Sequence, residues 1–203
     1  MPQFDAILFD FDGVLLDSEP VHWACWAEVI APLGVTLTWE FYRDYCIGID
    51  DREMLQMMAS QSDPPKDWNV LWAQYPAKQV LFRSRMEHAP PFDPGLPALF
   101  GELNGRFAMA VVSSSACYEI EPLLQAGGLR DYFATVVGGE TVKQHKPHPE
   151  PYLLAAERLG AKTPLVLEDS PAGIASGRAA GFEVLAIPRP SDMAFLLRQR
   201  LAE

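Results

Sequence analysis

At roughly 150 residues per domain, a chain of 203 residues that is 49% apolar fits one large domain or one domain with an insert, and excludes a disordered polymer. Lys and Arg number 16 against 27 Asp and Glu, a formal charge of −11 that argues against a nucleic-acid or anionic-membrane surface. An anionic substrate stays open, because one local cation or lysine can reverse the field at a site. No stretch approaches the ~18 continuous apolar residues of a membrane span. The start, Met1 to Asp5, lacks the basic and apolar regions of a signal peptide. Cys25, Cys46 and Cys117 form neither a disulfide framework nor a zinc pattern, so a reducing cytoplasm is the expected home.

In chain order, the first signal is Ala6-Ile7-Leu8-Phe9, an apolar run without alternation that suits a strand buried on both faces. Phe107 to Val112, Leu165 to Leu167 and Val184 to Ile187 repeat it, and Thr135 to Val137 is a weaker fifth. Helical patterns separate the later runs: Pro94 to Leu103, Cys117 to Ala126, Pro149 to Leu159, Gly173 to Ala180 and Ser191 to Leu201. This alternation predicts right-handed crossovers and a doubly wound α/β parallel sheet, Rossmann-like in plan. Between Leu16 and Pro90 it stops. Ser18 is expected to cap a helix from about Pro20 to Ala31, Thr38 a second, and Asp50 with Glu53 a third. All five tryptophans, Trp23, Trp26, Trp39, Trp68 and Trp72, fall in this window, enough aromatic surface for a small helical core of its own. The Pro-rich stretch from Ala89 to Gly95 reads as the return linker. The expected division is therefore 1–15 with 91–203 as the α/β core, and 16–90 as a helical insert.

Ligands of a parallel α/β sheet bind beyond the carboxyl ends of its strands. The first run is followed by Asp10, Phe11, Asp12 and Gly13, the second by Ser113, Ser114 and Ser115, and the fourth by Glu168 and Asp169. Carboxylates gathered at one edge repel unless a cation holds them, and an all-oxygen set favours Mg²⁺ when a phosphate completes the shell. In continued strand geometry Asp10 and Asp12 point to one face, and Gly13 permits a turn closed to other residues. Lys146, in His145-Lys146-Pro147-His148-Pro149, sits in a stiff loop ahead of a helix, a well-placed point charge for a phosphate. His145 and His148 are read as facing solvent.

Phe9 to Glu19, reading Phe-Asp-Phe-Asp-Gly-Val-Leu-Leu-Asp-Ser-Glu, resembles the first motif of the haloacid dehalogenase superfamily. Val111 to Ser115 resembles the second, Lys146 to Tyr152 the third, and Val166 to Ile174, with Glu168-Asp169, the fourth. The order is right and the match spans nearly the whole chain. It is similar to the branch that holds β-phosphoglucomutase and the sugar-phosphate and phosphoglycolate phosphatases, whose small α-helical cap corresponds to the insert.

The resemblance implies a Mg²⁺-dependent phosphatase acting on a small phosphorylated metabolite through an aspartyl phosphate. Asp10 is then the nucleophile and Asp12 the general acid and base. True dehalogenases of the superfamily lack the second Asp, so Asp12 argues for phosphoryl transfer. Ser113 and Lys146 hold phosphoryl oxygens, with Ser114 and Ser115 assisting. Asp10, the Asp12 carbonyl and Asp169 hold Mg²⁺, with Glu168 among or behind the ligands. His22 and Lys78 fall where the mutase carries its cap histidine and lysine, and count as substrate-binding candidates. The mutase's cap loop carries an arginine for a remote phosphate where this chain reads Gly48-Ile49-Asp50-Asp51, with Arg52 one place late. Hydrolysis is thus expected over mutase chemistry. A phospho-acceptor signalling module also gathers Asp, Ser and Lys on a parallel sheet, but it is shorter and lacks the cap. A monomer or weak homodimer is expected, with no nucleic-acid or membrane partner.

Overall fold

The computed structural model describes residues 3–47, 51–62 and 64–202. The chain divides into two compact units, one of residues 1–17 and 89–203, the other of residues 18–88. The first is built on a parallel sheet of β1 (Ala6–Phe9), β2 (Ala108–Val112), β3 (Thr135–Val137), β4 (Pro164–Glu168) and β5 (Glu183–Ala186), in the order β3-β2-β1-β4-β5. β1 sits in the middle, with Leu8 opposite Ala110 on one side and Val166 on the other. β1, β2 and β4 are buried almost throughout, as their unalternating sequences require. The order of strands reverses at β1, which opens a crevice past the carboxyl ends of β1 and β4.

The second unit is all helix among its described residues: α1 (Glu19–Ile30), α2 (Trp39–Tyr45), α3 (Asp51–Gln61), α4 (Trp68–Trp72) and α5 (Tyr75–His88). Trp26, Ile30, Met54, Leu55 and Leu71 form its core, and the other four tryptophans pack around them half-buried. Trp23 meets Trp39 edge-on, with ring centres 5.6 Å apart, and its indole N–H donates to the Leu37 carbonyl at 2.9 Å. Thr38 caps α2 as expected, its hydroxyl accepting from Phe41 N–H at 3.2 Å. Ser18 does not cap α1. Its backbone is already helical, with φ −79° and ψ −15°, whereas a capping side chain reaches back only from an extended residue. The expected Asp50 cap lies outside the described residues, although α3 itself is present.

Among the described residues, the sheet unit also carries the α-helices α6 (Leu96–Leu103), α7 (Cys117–Ala126), α8 (Glu150–Leu159), α9 (Pro171–Ala179) and α10 (Pro190–Ala202). Side chains alternate across β1, so Leu8 packs with Tyr152 and Ala155 of α8, while Phe9 meets Phe100 of α6 and Phe133 edge-on at 5.4 and 5.9 Å. Gly177 lets α9 approach the sheet closely, since a Cβ there would lie 2.8 Å from Val184. Leu16 and Phe92 form an antiparallel bridge where the chain leaves and re-enters this unit. No helix is long and apolar enough to cross a membrane among the described residues.

Candidate active site

Three adjacent strands end on polar residues, and the sheet's own hydrogen bonds carry each of them to the edge. Asp10 N–H donates to Leu167 O at 2.9 Å, Ser113 N–H to Val137 O at 2.9 Å, and Ile187 N–H to Glu168 O at 2.7 Å. Side chains placed this way need no flexible loop to converge. Carboxylate oxygens of Asp10, Glu168 and Asp169 lie within 4.8 Å of one another. Gly13, with φ +82°, turns the chain after β1, and a Cβ on it would stand 2.0 Å from Asp169 Oδ2. Only glycine therefore lets the Asp169 carboxylate sit against the first loop.

Lys146 enters this acidic group with all three ammonium protons engaged. Nζ donates to Asp10 Oδ1 at 2.5 Å, Glu168 Oε1 at 2.7 Å and Val112 O at 3.1 Å. Its side chain is 5% exposed, and the Lys146–Pro147 peptide is cis. Ser113 is buried, and its Oγ accepts from Ser115 N–H at 3.0 Å, which leaves its own proton to give. Ser115 Oγ donates to Asp12 Oδ2 at 3.2 Å, while Ser114 and Asp12 are exposed at the rim. His145 is exposed as expected, but His148 is half-buried. Its Nδ1 accepts from Glu150 N–H at 3.2 Å and its carbonyl from Ser176 Oγ at 2.6 Å, because the loop folds back over α8 and α9. Glu150 in turn accepts from the N–H groups of Lys143 and Gln144, tying down the loop before Lys146.

Burial pushes the Asp10 carboxyl well above the usual carboxylate range; Lys146 opposes that shift, and Glu168 and Asp12 add to it. Asp12 sits at the rim, yet the protein around its carboxyl crowds out water and raises it too, against the Ser115 hydrogen bond. Asp169, though its residue reaches solvent, is pushed up to about 6, first by protein that crowds water from its carboxyl and second by the Glu168 charge. An oxygen-only group whose members resist ionising together is suited to a hard divalent cation, so the residues fit Mg²⁺. Asp169 binds its proton more tightly folded than unfolded, so its contribution to stability falls as pH climbs from about 4 to about 6. A cation held by Asp169 would have to displace that proton, so Mg²⁺ affinity should then drop about tenfold per pH unit below 6 for each proton displaced. Calorimetric titration of Mg²⁺ between pH 5 and 7.5 checks this, and a flat affinity would contradict it.

The two remaining sequence candidates, His22 of α1 and Lys78 of α5, lie in the helical unit and are brought together there. Lys78 Nζ stands 2.8 Å from His22 Nδ1 and 3.3 Å from Asp51 Oδ2, and its side chain is 5% exposed. Asp51 Oδ1 accepts from Trp26 Nε1 at 2.9 Å, and His22 stacks on Phe82 with ring centres 4.1 Å apart. Burial, then the Lys78 charge, lowers His22 to about 4, so the imidazole is neutral at pH 7 and accepts at Nδ1. Spacing alone gave no sign that Asp51 pairs with Lys78, 27 residues away. Arg52 lies over the Trp72 ring at 4.8 Å, while Gly48, Ile49 and Asp50 of the expected cap loop lie outside the described residues.

Residues 7–187 match the family described as haloacid dehalogenase-like hydrolase. The chain belongs to that family. It is 31% identical over 187 residues to the fructose-1-phosphate phosphatase YqaB of Escherichia coli K12, covering 90% of this chain and 96% of that one. With hexitol phosphatase B of the same organism it shares 30% over 205 residues, 96% and 90% of the two chains. Among solved structures, a Thermotoga maritima protein provisionally assigned as a β-phosphoglucomutase superposes with a TM-score of 0.72 at 25% identity, covering 96% of this chain and 99% of that one. The doubly wound fold of the first unit is the fold of this superfamily, and the chain is a phosphoric monoester hydrolase of it.

Proposed function

We propose that this haloacid dehalogenase-like hydrolase is a Mg²⁺-dependent phosphatase that cleaves a small phosphorylated metabolite, a sugar or polyol phosphate or a phosphoglycolate-like acid, through a phosphorylated Asp10. The observation that carries the reading is the set of Asp10, Ser113 and Asp169 at the carboxyl ends of three adjacent strands, with Asp12 two residues beyond the first and Lys146 reaching in from the loop before α8. The sugar-phosphate phosphatases among the relatives support the substrate class.

Asp10, the main-chain carbonyl of Asp12 and Asp169 would hold Mg²⁺, which when bound neutralises charge on the carboxylates and the transferring group. Asp10 attacks phosphorus, and the P–O bond to the substrate breaks in line. Asp12 gives its proton to the departing oxygen, a task favoured by its raised pKa, and then takes one from the water that cleaves the acyl phosphate. Ser113 Oγ–H and the Lys146 N–H now given to Asp10 would bond the equatorial oxygens, with Ser114 and Ser115 at the rim. His22 and Lys78 of the helical unit are assigned to the non-phosphoryl part of the substrate. There the Asp51 carboxylate beside Lys78 opposes a second phosphate dianion and favours hydroxyl groups. The helical unit is read as the cap of the enzyme, which works in the cytoplasm as a monomer or weak homodimer.

A screen of phosphorylated metabolites for released phosphate tests this reading. Turnover should favour monophosphates bearing hydroxyl groups, require Mg²⁺, and vanish with excess chelator. Efficient isomerisation of β-glucose 1-phosphate to glucose 6-phosphate without free phosphate, followed by ³¹P NMR, would overturn it.

A further inference from the structure

Glu168 is fully buried, yet its carboxylate is not short of partners. Oε1 accepts from Lys146 Nζ at 2.7 Å and from Tyr152 O–H at 2.8 Å. Oε2 accepts from Ser170 N–H at 3.0 Å and from Ser170 Oγ–H at 3.0 Å. A carboxylate has two oxygens and about four lone-pair sites, so every one is occupied by a proton donor. The backbone of α9 encloses it as well: a Cβ on Gly173 would stand 1.6 Å from Oε1. Asp169, its neighbour, is exposed. Two adjacent acids from one strand end therefore differ: Glu168 is enclosed with every lone pair bonded, while Asp169 reaches solvent.

The Lys146 ammonium shows the complementary pattern. Its three protons go to Asp10, Val112 O and Glu168, and its Nζ also lies 5.0 Å from the centre of the Tyr152 ring. Tyr152 thus touches both members of the buried pair: its hydroxyl holds Glu168, and its ring face receives the ammonium. A lysine that must offer one N–H to a phosphoryl oxygen needs its nitrogen kept in place by the others.

We infer that Glu168 anchors Lys146 rather than binding the cation, and that Tyr152 is a positioning residue which holds this anchor in register. Glu168 cannot turn a lone pair to a metal without giving up a bond to Lys146, Tyr152 or Ser170, and giving up Tyr152 takes that partner from a buried hydroxyl. The inference rests on the proposed roles of Asp10 and of the acidic group.

The test uses the full chain, with Mg²⁺ binding read by calorimetry and turnover by release of p-nitrophenol from p-nitrophenyl phosphate. Glu168→Gln should keep Mg²⁺ affinity within about fivefold of the unaltered protein while kcat falls by about 100-fold or more. Asp169→Asn should weaken Mg²⁺ by about 100-fold. Tyr152→Phe keeps the ring and removes only the hydroxyl. It should leave Mg²⁺ affinity unchanged and lower kcat by about 10- to 100-fold, with KM little altered. Tyr152→Leu, which also removes the ring face, should lose more. Loss of Mg²⁺ binding in Glu168→Gln as deep as in Asp169→Asn would overturn the anchor. Wild-type kcat in Tyr152→Phe would overturn the positioning role even if Glu168→Gln did not fold. An unaltered protein that neither binds Mg²⁺ nor releases p-nitrophenol would instead refute the phosphatase reading itself.

Discussion

Asp10→Asn should reduce phosphate release by about 10⁴-fold or more while the fold survives. The amide has no free carboxylate oxygen to attack phosphorus. The volume is unchanged, and an Asn carbonyl can still accept from Lys146, which keeps Glu168 and Val112 O as partners. Burial disfavours the charged form of Asp10, so a neutral isostere removes a penalty as well as an ion pair. Far-UV circular dichroism should be unaltered and Tm should lie within a few degrees. Near-normal turnover in this variant would refute the assignment of the nucleophile.

Asp12→Asn should separate the two halves of the reaction. With p-nitrophenyl phosphate the leaving group needs no proton, so Asp10 can still be phosphorylated. Activation of water is lost, and steady-state turnover should fall by about 10²- to 10⁴-fold. The expected signature is a burst of p-nitrophenol close to one per active site, followed by a slow phase. Intact mass should rise by one phosphoryl group, removable by hydroxylamine. Wild-type steady-state turnover, or slow turnover with no burst, would argue that Asp12 is not the base for the second step.

Much of this site was legible because it depends on short-range rules. A buried parallel strand reads as an unbroken apolar run, and whatever follows the run must sit at the sheet's carboxyl edge. That rule suffices to put Asp10, Ser113 and Glu168 at the edge. Gly13 was legible as a turn, but its close approach to Asp169 was not, since the two meet only after β1 and β4 pair. Lys146 was read as a charge awaiting a phosphate; its near-complete burial between two carboxylates depends on three distant segments at once. The part played by Tyr152 is not legible in sequence, because helical period says which residues face a sheet but not which hydroxyl meets which acid. Asp51 with Lys78 is the same case in the helical unit. Ser18 failed as a cap for a local reason: residue type permits capping, and backbone conformation decides it.

The bridge between Leu16 and Phe92 has a consequence for how such a chain can be assembled at all. The two ends of the interruption leave the sheet unit side by side, with Asp17 N–H bonded to Pro91 O at 3.4 Å. To the sheet, everything between is one long loop whose ends are already joined. Closing a loop of roughly 75 residues rather than about 8 costs only about 2 kcal/mol more in chain entropy, because that cost grows with the logarithm of length. Doubling or exchanging the inserted segment would change it by well under 1 kcal/mol. Chain connectivity therefore places almost no limit on what is inserted here, and the sheet can keep one set of reacting groups while the segment between Asp17 and Pro91 varies.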